Sequence, residues 1–250
     1  LSGRPRATFD GHQGRVVFAA FSPSGHMIAT IAEDRMIRVW NVESGERRCE
    51  IGWPSDAGEA PWSAVFSPNN EWLLTTSLHF GPQVWDVHTG KRVNPTHWYG
   101  THALFSADGS RIISYSQFAT VAEIHDIASG QRIATLQGHA DGIKAMSLSA
   151  NGRLILTTSI DKTIRLWDAE TGQSLATLHG HAEQVNSASF SPDSQQIVSA
   201  STDHTARIWH VKSGEERASL ATNATPGPQV LATYDPQGQR VLVLTRPAPR

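Results

Sequence analysis

Residues 138–168 read GHADGIKAMSLSANGRLILTTSIDKTIRLWD, from Gly138 to Asp168, and they set the ruler for the whole chain. His139 is followed 22 residues later by Asp161 and 28 residues later by Trp167. His12, Asp34 and Trp40 repeat those offsets, and so do His181, Asp203 and Trp209. Identical spacing in three places marks a structural unit used repeatedly, so the period governs every other reading.

Working outward, the tryptophan or its substitute falls at Trp40, Trp85, His125, Trp167 and Trp209, with intervals of 45, 40, 42 and 42 residues. A glycine follows five residues after each, at Gly45, Gly90, Gly130, Gly172 and Gly214, between two runs of β type. Turn signals upstream recur six times, among them Ser22-Pro23-Ser24-Gly25, Ser67-Pro68 and Ser191-Pro192-Asp193. Between the turns the runs are short and rich in β-branched and aromatic residues. In the first unit they predict strands over Val16 to Phe21, Met27 to Ala32, Ile37 to Val42 and Arg47 to Ile51. The second strands are continuously apolar, as at Leu73-Leu74, Ile112-Ile113, Leu154-Ile155-Leu156 and Val241-Leu242-Val243, which predicts cover on both faces. Small residues such as Ala19, Ala64, Ala188 and Ala232 near the ends of the first strands would let neighbouring sheets approach closely.

The composition sets bounds on function. Of 250 residues, 39% are hydrophobic and 18% charged, enough for a folded core and unlike the profile of a disordered chain. A net charge of −2 gives no electrostatic case for nucleic acid or an acidic membrane as partner. The single cysteine, Cys49, has no internal mate and offers no sign of an oxidising compartment. No apolar run reaches the roughly 18 residues of a membrane span, and no signal peptide is read, so a cytoplasmic setting is expected. Twelve histidines invite a metal site, but outside the repeat positions they show no closely spaced ligand set, and neither metal nor cofactor is expected. Arg38, Arg165 and Arg207 stand two residues before the tryptophans and read as a solvated strand position.

The Gly138-His139, Asp161 and Trp167-Asp168 signature, with its counterparts, resembles the WD-repeat β-propellers over nearly the whole chain. The resemblance implies an all-β fold of four-stranded antiparallel blades: five complete units and a split, incomplete sixth, in one domain over residues 1–250. It also implies a hydrogen-bonded framework in which Asp161 bonds to His139 and Thr157 links to Trp167. Asp203, His181, Ser199 and Trp209 would repeat it, as would Asp34, His12, Thr30 and Trp40. Histidine, aspartate and a hydroxyl in one cluster also look like a hydrolase triad. A triad serves one cleft, however, while this set occurs three times and ends on an indole that must find an acceptor when buried. No catalytic role is expected.

The second and third units depart from the pattern. Trp53 stands in the histidine place of the second, His79 replaces its aspartate, and the connection from Trp53 to Trp62 is lengthened. In the third, His97 falls in the histidine place, no aspartate lies six residues before His125, and His125 itself replaces the tryptophan; Ser114 alone remains recognisable. Two readings compete: drift in repeats supported by their neighbours, or a framework given up to free a binding surface. Trp53, Trp62, Phe80, Trp98, Tyr99 and Phe118 fall in the loops that the family gathers on one face, and loop aromatics are candidate hot spots. The resemblance places Val17, Trp62, Thr101, Lys144, Asn186 and Val230 at the axial mouth, with Glu33, Leu78, Ile160 and Thr202 beside them. The partner surface is accordingly expected on the face of the second and third units, centred on Trp62 and Trp98.

Arg6 to Phe9 reads as a fourth strand lacking its own first three, and Gln229 to Tyr234 with Arg240 to Thr245 as a first and second strand. With Leu1 in place of an initiator methionine, this favours an excerpt from a ring of about seven blades. The first functional expectation is an interaction scaffold that binds a protein or peptide and performs no chemistry. The second is a sensor or regulatory propeller of a larger signalling protein, such as a kinase or nucleotide-hydrolysing switch, whose further domains would also be partners. A propeller enzyme is the weakest, since the axial positions include Val17, Trp62 and Val230 and no paired carboxylates.

Overall fold

Five of the six turns from a first to a second strand are closed by the same device, a serine hydroxyl, and the sixth by the Asp235 carboxylate. Ser22 Oγ accepts from Met27 N at 3.0 Å, Ser67 Oγ from Trp72 N at 2.9 Å, Ser149 Oγ from Leu154 N at 2.9 Å and Ser191 Oγ from Gln196 N at 2.9 Å. A hydroxyl that satisfies the first amide of the returning strand fixes where the hairpin begins. The computed structural model describes residues 7–53, 61–93, 98–221 and 229–246, and among them every regular element is a β-strand.

The strands form six antiparallel sheets. The first holds β1 (Val16–Phe21), β2 (Met27–Ala32), β3 (Met36–Asn41) and β4 (Arg47–Gly52) in chain order. The second holds β5 (Ser63–Phe66), β6 (Trp72–Thr76) and β7 (Gln83–Asp86), and the third β8 (His102–Phe105), β9 (Arg111–Tyr115), β10 (Val121–Asp126) and β11 (Arg132–Gln137). The fourth comprises β12 (Ile143–Leu148), β13 (Leu154–Ser159), β14 (Ile164–Asp168) and β15 (Ser174–Leu178). β16 (Val185–Phe190), β17 (Gln196–Ser201), β18 (Thr205–His210) and β19 (Glu216–Ala221) make the fifth, and β20 (Gln229–Tyr234) and β21 (Val241–Arg246) the sixth. The chain clusters into two compact units, residues 1–114 with 125–132, and residues 115–124 with 133–250.

Within the first unit, Ile31, Ile37, Ile51 and Leu73 are fully buried, joined by Trp53, Phe66 and Trp85. Within the second, Leu156, Ile164, Val185, Ile197 and Trp209 form the corresponding core. The second strands sit deepest, as their unbroken apolar runs require.

Several expectations are corrected. The second repeat has three strands among the described residues and, in place of a fourth, an isolated bridge from Trp85 to Arg92, so four sheets rather than five are complete among those residues. Residues 7–9 carry no strand, and Arg6 lies outside the described residues. Leu242 and Leu244 are exposed on β21, because only the other face of the β20–β21 hairpin, with Ala232, Tyr234, Val241 and Val243, packs on Val198 and Ala200. The three arginines are not freely solvated: Arg38 is buried and Arg165 and Arg207 are partly buried. Arg38 is buried between Asp34 (2.8 Å) and Glu50 (2.7 Å), Arg165 lies 5.9 Å from the ring of Trp167, and Arg207 bonds Glu216 at 2.7 Å. A neighbouring carboxylate or indole face compensates a guanidinium for the water it loses.

Candidate interaction surface

The framework residues meet as three hydrogen-bonded chains. In the fourth sheet Trp167 Nε1 donates to Thr157 Oγ1 at 2.8 Å, Thr157 lies 2.8 Å from His139 Nε2, and His139 Nδ1 lies 2.8 Å from Asp161 Oδ2. An indole can only donate, so the threonine hydroxyl accepts from it and gives its own proton to Nε2. The imidazole proton then sits on Nδ1 and points at the carboxylate. Trp209, Ser199, His181 and Asp203 repeat the chain with each step at 2.8 Å. Trp40, Thr30, His12 and Asp34 do so at 2.8, 2.7 and 3.0 Å.

Burial pushes the His139 and His181 imidazoles below their ordinary value, and the facing carboxylates only partly offset it. For Asp161 burial works upward, but hydrogen bonds from Thr163, His139 and Ala140 outweigh it and hold the carboxyl at about 2. The His139–Asp161 and His181–Asp203 pairs are therefore neutral imidazole beside carboxylate near neutral pH. The hydroxyls of Thr157 and Ser199 are wholly buried and already engaged on both sides, so they present no attacking oxygen to a substrate.

The departures in the second and third sheets are filled, not open. Trp53 packs on Trp85 with centroids 6.1 Å apart and on Phe80 at 5.9 Å, while Trp85 Nε1 keeps its bond to Thr75 Oγ1 at 2.9 Å. Trp98 lies 6.2 Å from His125, matching the 6.2, 6.4 and 5.9 Å of the three histidine–tryptophan pairs. The third sheet thus carries the pair inverted, with Trp98 in the place that spacing gave to His97, a residue outside those described. Trp53 and Trp98 are each only 4% exposed, which corrects the expectation that they project as partner anchors. An aromatic ring in the cavity of a lost histidine recovers apolar burial that a hole would forfeit. The lengthened connection after Trp53 lies, over residues 54–60, outside the described residues.

Other predicted residues do reach the surface of the first unit. Trp62 is 41% exposed, Tyr99 53% and Leu78 56%; Phe80 is half-buried. Trp62 N bonds Thr76 O at the end of β6, two residues before Leu78, and the Trp62 ring lies 6.4 Å from that of His102, beside half-buried Thr101. The turn after β6 sits hard against the segment of Tyr99, since a Cβ on Gly81 would lie 2.5 Å from Trp98 O. Exposed Glu33 pairs with Arg15 at 2.8 Å, and Glu33 N bonds Arg15 O, which places it beside exposed Val17. Val17, Lys144 and Asn186 each sit where the register of the first strand of their sheet shifts. Nothing is described of the Val230 side chain. Among the described residues no group of three or more histidine, cysteine or acidic side chains could hold a metal.

A WD40 family model (WD domain, G-beta repeat) matches residues 3–41, 130–168 and 172–210, the three stretches in which the histidine-to-tryptophan chain is intact. The chain carries WD40 repeats at these three positions. WD repeat-containing protein SL1-17 of Schistosoma mansoni is 30% identical over 158 residues, covering 62% of this chain and 50% of that protein. Small ribosomal subunit protein RACK1z of Arabidopsis thaliana is 40% identical over 84 residues, 34% of this chain and 24% of that protein. The C-terminal WD40 domain of Sif2 superposes with a TM-score of 0.75 at 20% identity, over 92% of this chain and 64% of that one, which speaks to fold alone. This WD40 chain spans half or less of the two named relatives. The Arg38–Glu50 closure of the first WD40 sheet escaped the sequence reading; a glutamate facing an arginine across β3 and β4 was its only trace.

Proposed function

We propose that this WD40 chain is a non-catalytic interaction platform that seats a protein or peptide on the aromatic patch of its first unit. WD40-repeat proteins generally act as scaffolds for protein interaction. The observation that carries the reading here is the gathering of Trp62, Tyr99 and Leu78, large side chains with about half their surface in water, on loops fastened to one another through Thr76 and Gly81. Rigid aromatic anchors of this kind concentrate binding energy, whereas Trp53 and Trp98 serve the core. The closed hydrogen-bonded chains support the absence of chemistry.

The test is affinity capture on the full-length protein, identification of the captured partner, and titration of that partner against variants. Trp62→Ala and Tyr99→Ala are each expected to weaken binding by about 2 kcal/mol while changing stability by less than about 0.5 kcal/mol. Unchanged affinity in both variants would remove the patch as the partner surface.

A further inference from the structure

The outermost strands of the first, fourth and fifth sheets are interrupted at one register position. β4 pairs Arg47 with Trp40 and Cys49 with Val39, which leaves Arg48 out of the ladder, and Leu175 on β15 and Arg217 on β19 are left out in the same way. A bulge re-aims the side chain that it frees. The turn leading into the outermost strand differs in a matching sense. In the second, third and fourth sheets a carboxylate closes it, since Asp86, Asp126 and Asp168 accept the amide and hydroxyl of Thr89, Ser129 and Thr171 at 2.6 to 3.0 Å. The first and fifth sheets have Asn41 and His210 in that place. Of the three interrupted strands, the one beside Asp168 frees a leucine, and the two whose turns lack a carboxylate free an arginine. Loss of the anion and gain of a guanidinium both turn the local charge positive.

The two arginines differ in what they meet. Arg48 lies 3.6 Å from Met27 Sδ and 3.3 Å from His88 Nε2. Arg217 is exposed and faces a cleft of about 540 Å³, lined also by His210, Lys212, Ser213, Glu215 and Glu216. Val211 N bonds Gln195 O at 2.9 Å, so the cleft lies at the sheet end of the β16–β17 turn, away from Asp203 and its hydrogen-bonded chain. Glu216 is taken by Arg207 at 2.7 Å, and among the described residues no carboxylate is in ion-pair range of Arg217 or Lys212. His210 Nδ1 lies 3.4 Å from both the amide and the hydroxyl of Ser213. An amide can only donate, so Nδ1 accepts and the ring proton stands on Nε2, which has no partner among the described residues. Three donors, two of them cations, therefore face one cleft, and exposed Glu215 adds a carboxylate without a partner among those residues.

We propose that this cleft binds a phosphorylated polyol or sugar by its phosphoryl group. The Arg217 fork and the Lys212 ammonium meet the phosphate oxygens, His210 Nε2 donates a further bond, and Glu215 accepts from a ligand hydroxyl. Hydrogen bonds between ionised partners are about twice as strong as neutral ones, and a guanidinium matches phosphate in shape. The volume falls within the range of about 300–1,000 Å³ usual for small-molecule sites, which leaves room for a carbon skeleton beside the phosphate. The site does not involve the aromatic patch, and it adds a small-molecule ligand to an interaction platform.

The test is calorimetric titration of the full-length protein with inositol monophosphate, inorganic phosphate and inositol. Inositol monophosphate is expected to bind with a Kd below about 1 mM, about tenfold more tightly than inorganic phosphate, and inositol is expected not to bind. Arg217→Gln and Lys212→Gln should each weaken inositol monophosphate about tenfold, and Glu215→Gln should bring it to the level of inorganic phosphate. His210→Asp installs the residue that closes this turn in three other sheets, so it should keep the melting temperature while its carboxylate repels the phosphate and abolishes binding. Arg153→Gln removes an exposed arginine outside the cleft and should change nothing. Flotation with phosphatidylcholine vesicles that carry phosphatidylinositol monophosphate separates the sources of the ligand. Binding to the vesicles and not to the soluble probe would assign the cleft to a lipid headgroup, and the reverse to a soluble phosphomonoester. Failure of the phosphorylated probes both in solution and on vesicles would overturn the proposal. So would binding retained in His210→Asp, or a loss in Arg153→Gln equal to that in Arg217→Gln, which would reveal attraction to charge in general.

Discussion

Asp161 shows how much one carboxylate can hold. It accepts from His139 Nδ1 and Ala140 N on one oxygen and from the amide and hydroxyl of Thr163 on the other, at 2.6 to 2.9 Å. Removing it strands a buried imidazole proton, so Asp161→Ala is expected to cost about 1–3 kcal/mol. A urea midpoint that falls with an unchanged slope would report that loss as stability alone. His79, the exposed residue in the aspartate place of the second repeat, holds no such set, and His79→Ala should stay within about 0.5 kcal/mol. If both variants unfold at the wild-type midpoint, the framework contributes nothing to stability. The same bonding argues against turnover: esterase, peptidase and phosphatase assays should give background rates. Activity that vanishes in His139→Ala while the fold survives would contradict this.

At the scale of the sheet, the inverted pair of the third repeat separates what spacing reveals from what it hides. Trp98 belongs to a cluster with Leu74, Val84, Phe105 and Ile112, and its Nε1 donates to Gly130 O at 3.4 Å. Trp98→Ala is therefore expected to cost about 3–5 kcal/mol, against less than about 0.5 kcal/mol for exposed Trp62→Ala, both read from denaturant midpoints. Similar losses for the two would mean they share one environment. The sequence could not tell these tryptophans apart, because both precede a first strand and depth in a core leaves no mark in a loop's spacing. The hairpins were legible: β1 and β2 fall on the β-branched and aromatic runs between the turn signals, and β3 begins one residue earlier than predicted. That no fourth strand stands beside β7 among the described residues left no mark in the sequence, since only pairing decides the state of Lys91-Arg92-Val93. The bulges at Val17, Lys144 and Asn186 were likewise unreadable, although the positions they re-aim had been singled out through the resemblance.

For the molecule as a whole, repetition turns a local titration into a property of the fold. Burial lowers His102 in the first unit, and lowers His139 and His181 in the second even against the pull of their aspartates. A histidine that folds with its pKa below the free value of 6.5 is protonated more readily in the unfolded chain, so the unfolded state binds the extra protons as the solution is acidified. The stabilisation from these imidazoles is complete above about pH 6.5 and is lost as pH falls through their folded values. The carboxyls come later: Asp161, held at about 2 against an ordinary 3.8, gives up its contribution only below that higher value. A melting temperature followed from pH 8 to pH 3 is thus expected to be level at first, to decline below about 6.5, and to fall more steeply below about 4. Hydrogen exchange at the Trp167 and Trp209 indoles should quicken in the first of these steps, because each indole bonds the hydroxyl that serves the histidine. A melting temperature level between pH 6.5 and 5 would mean that the imidazoles titrate as they do in water, and that burial does not govern their charge.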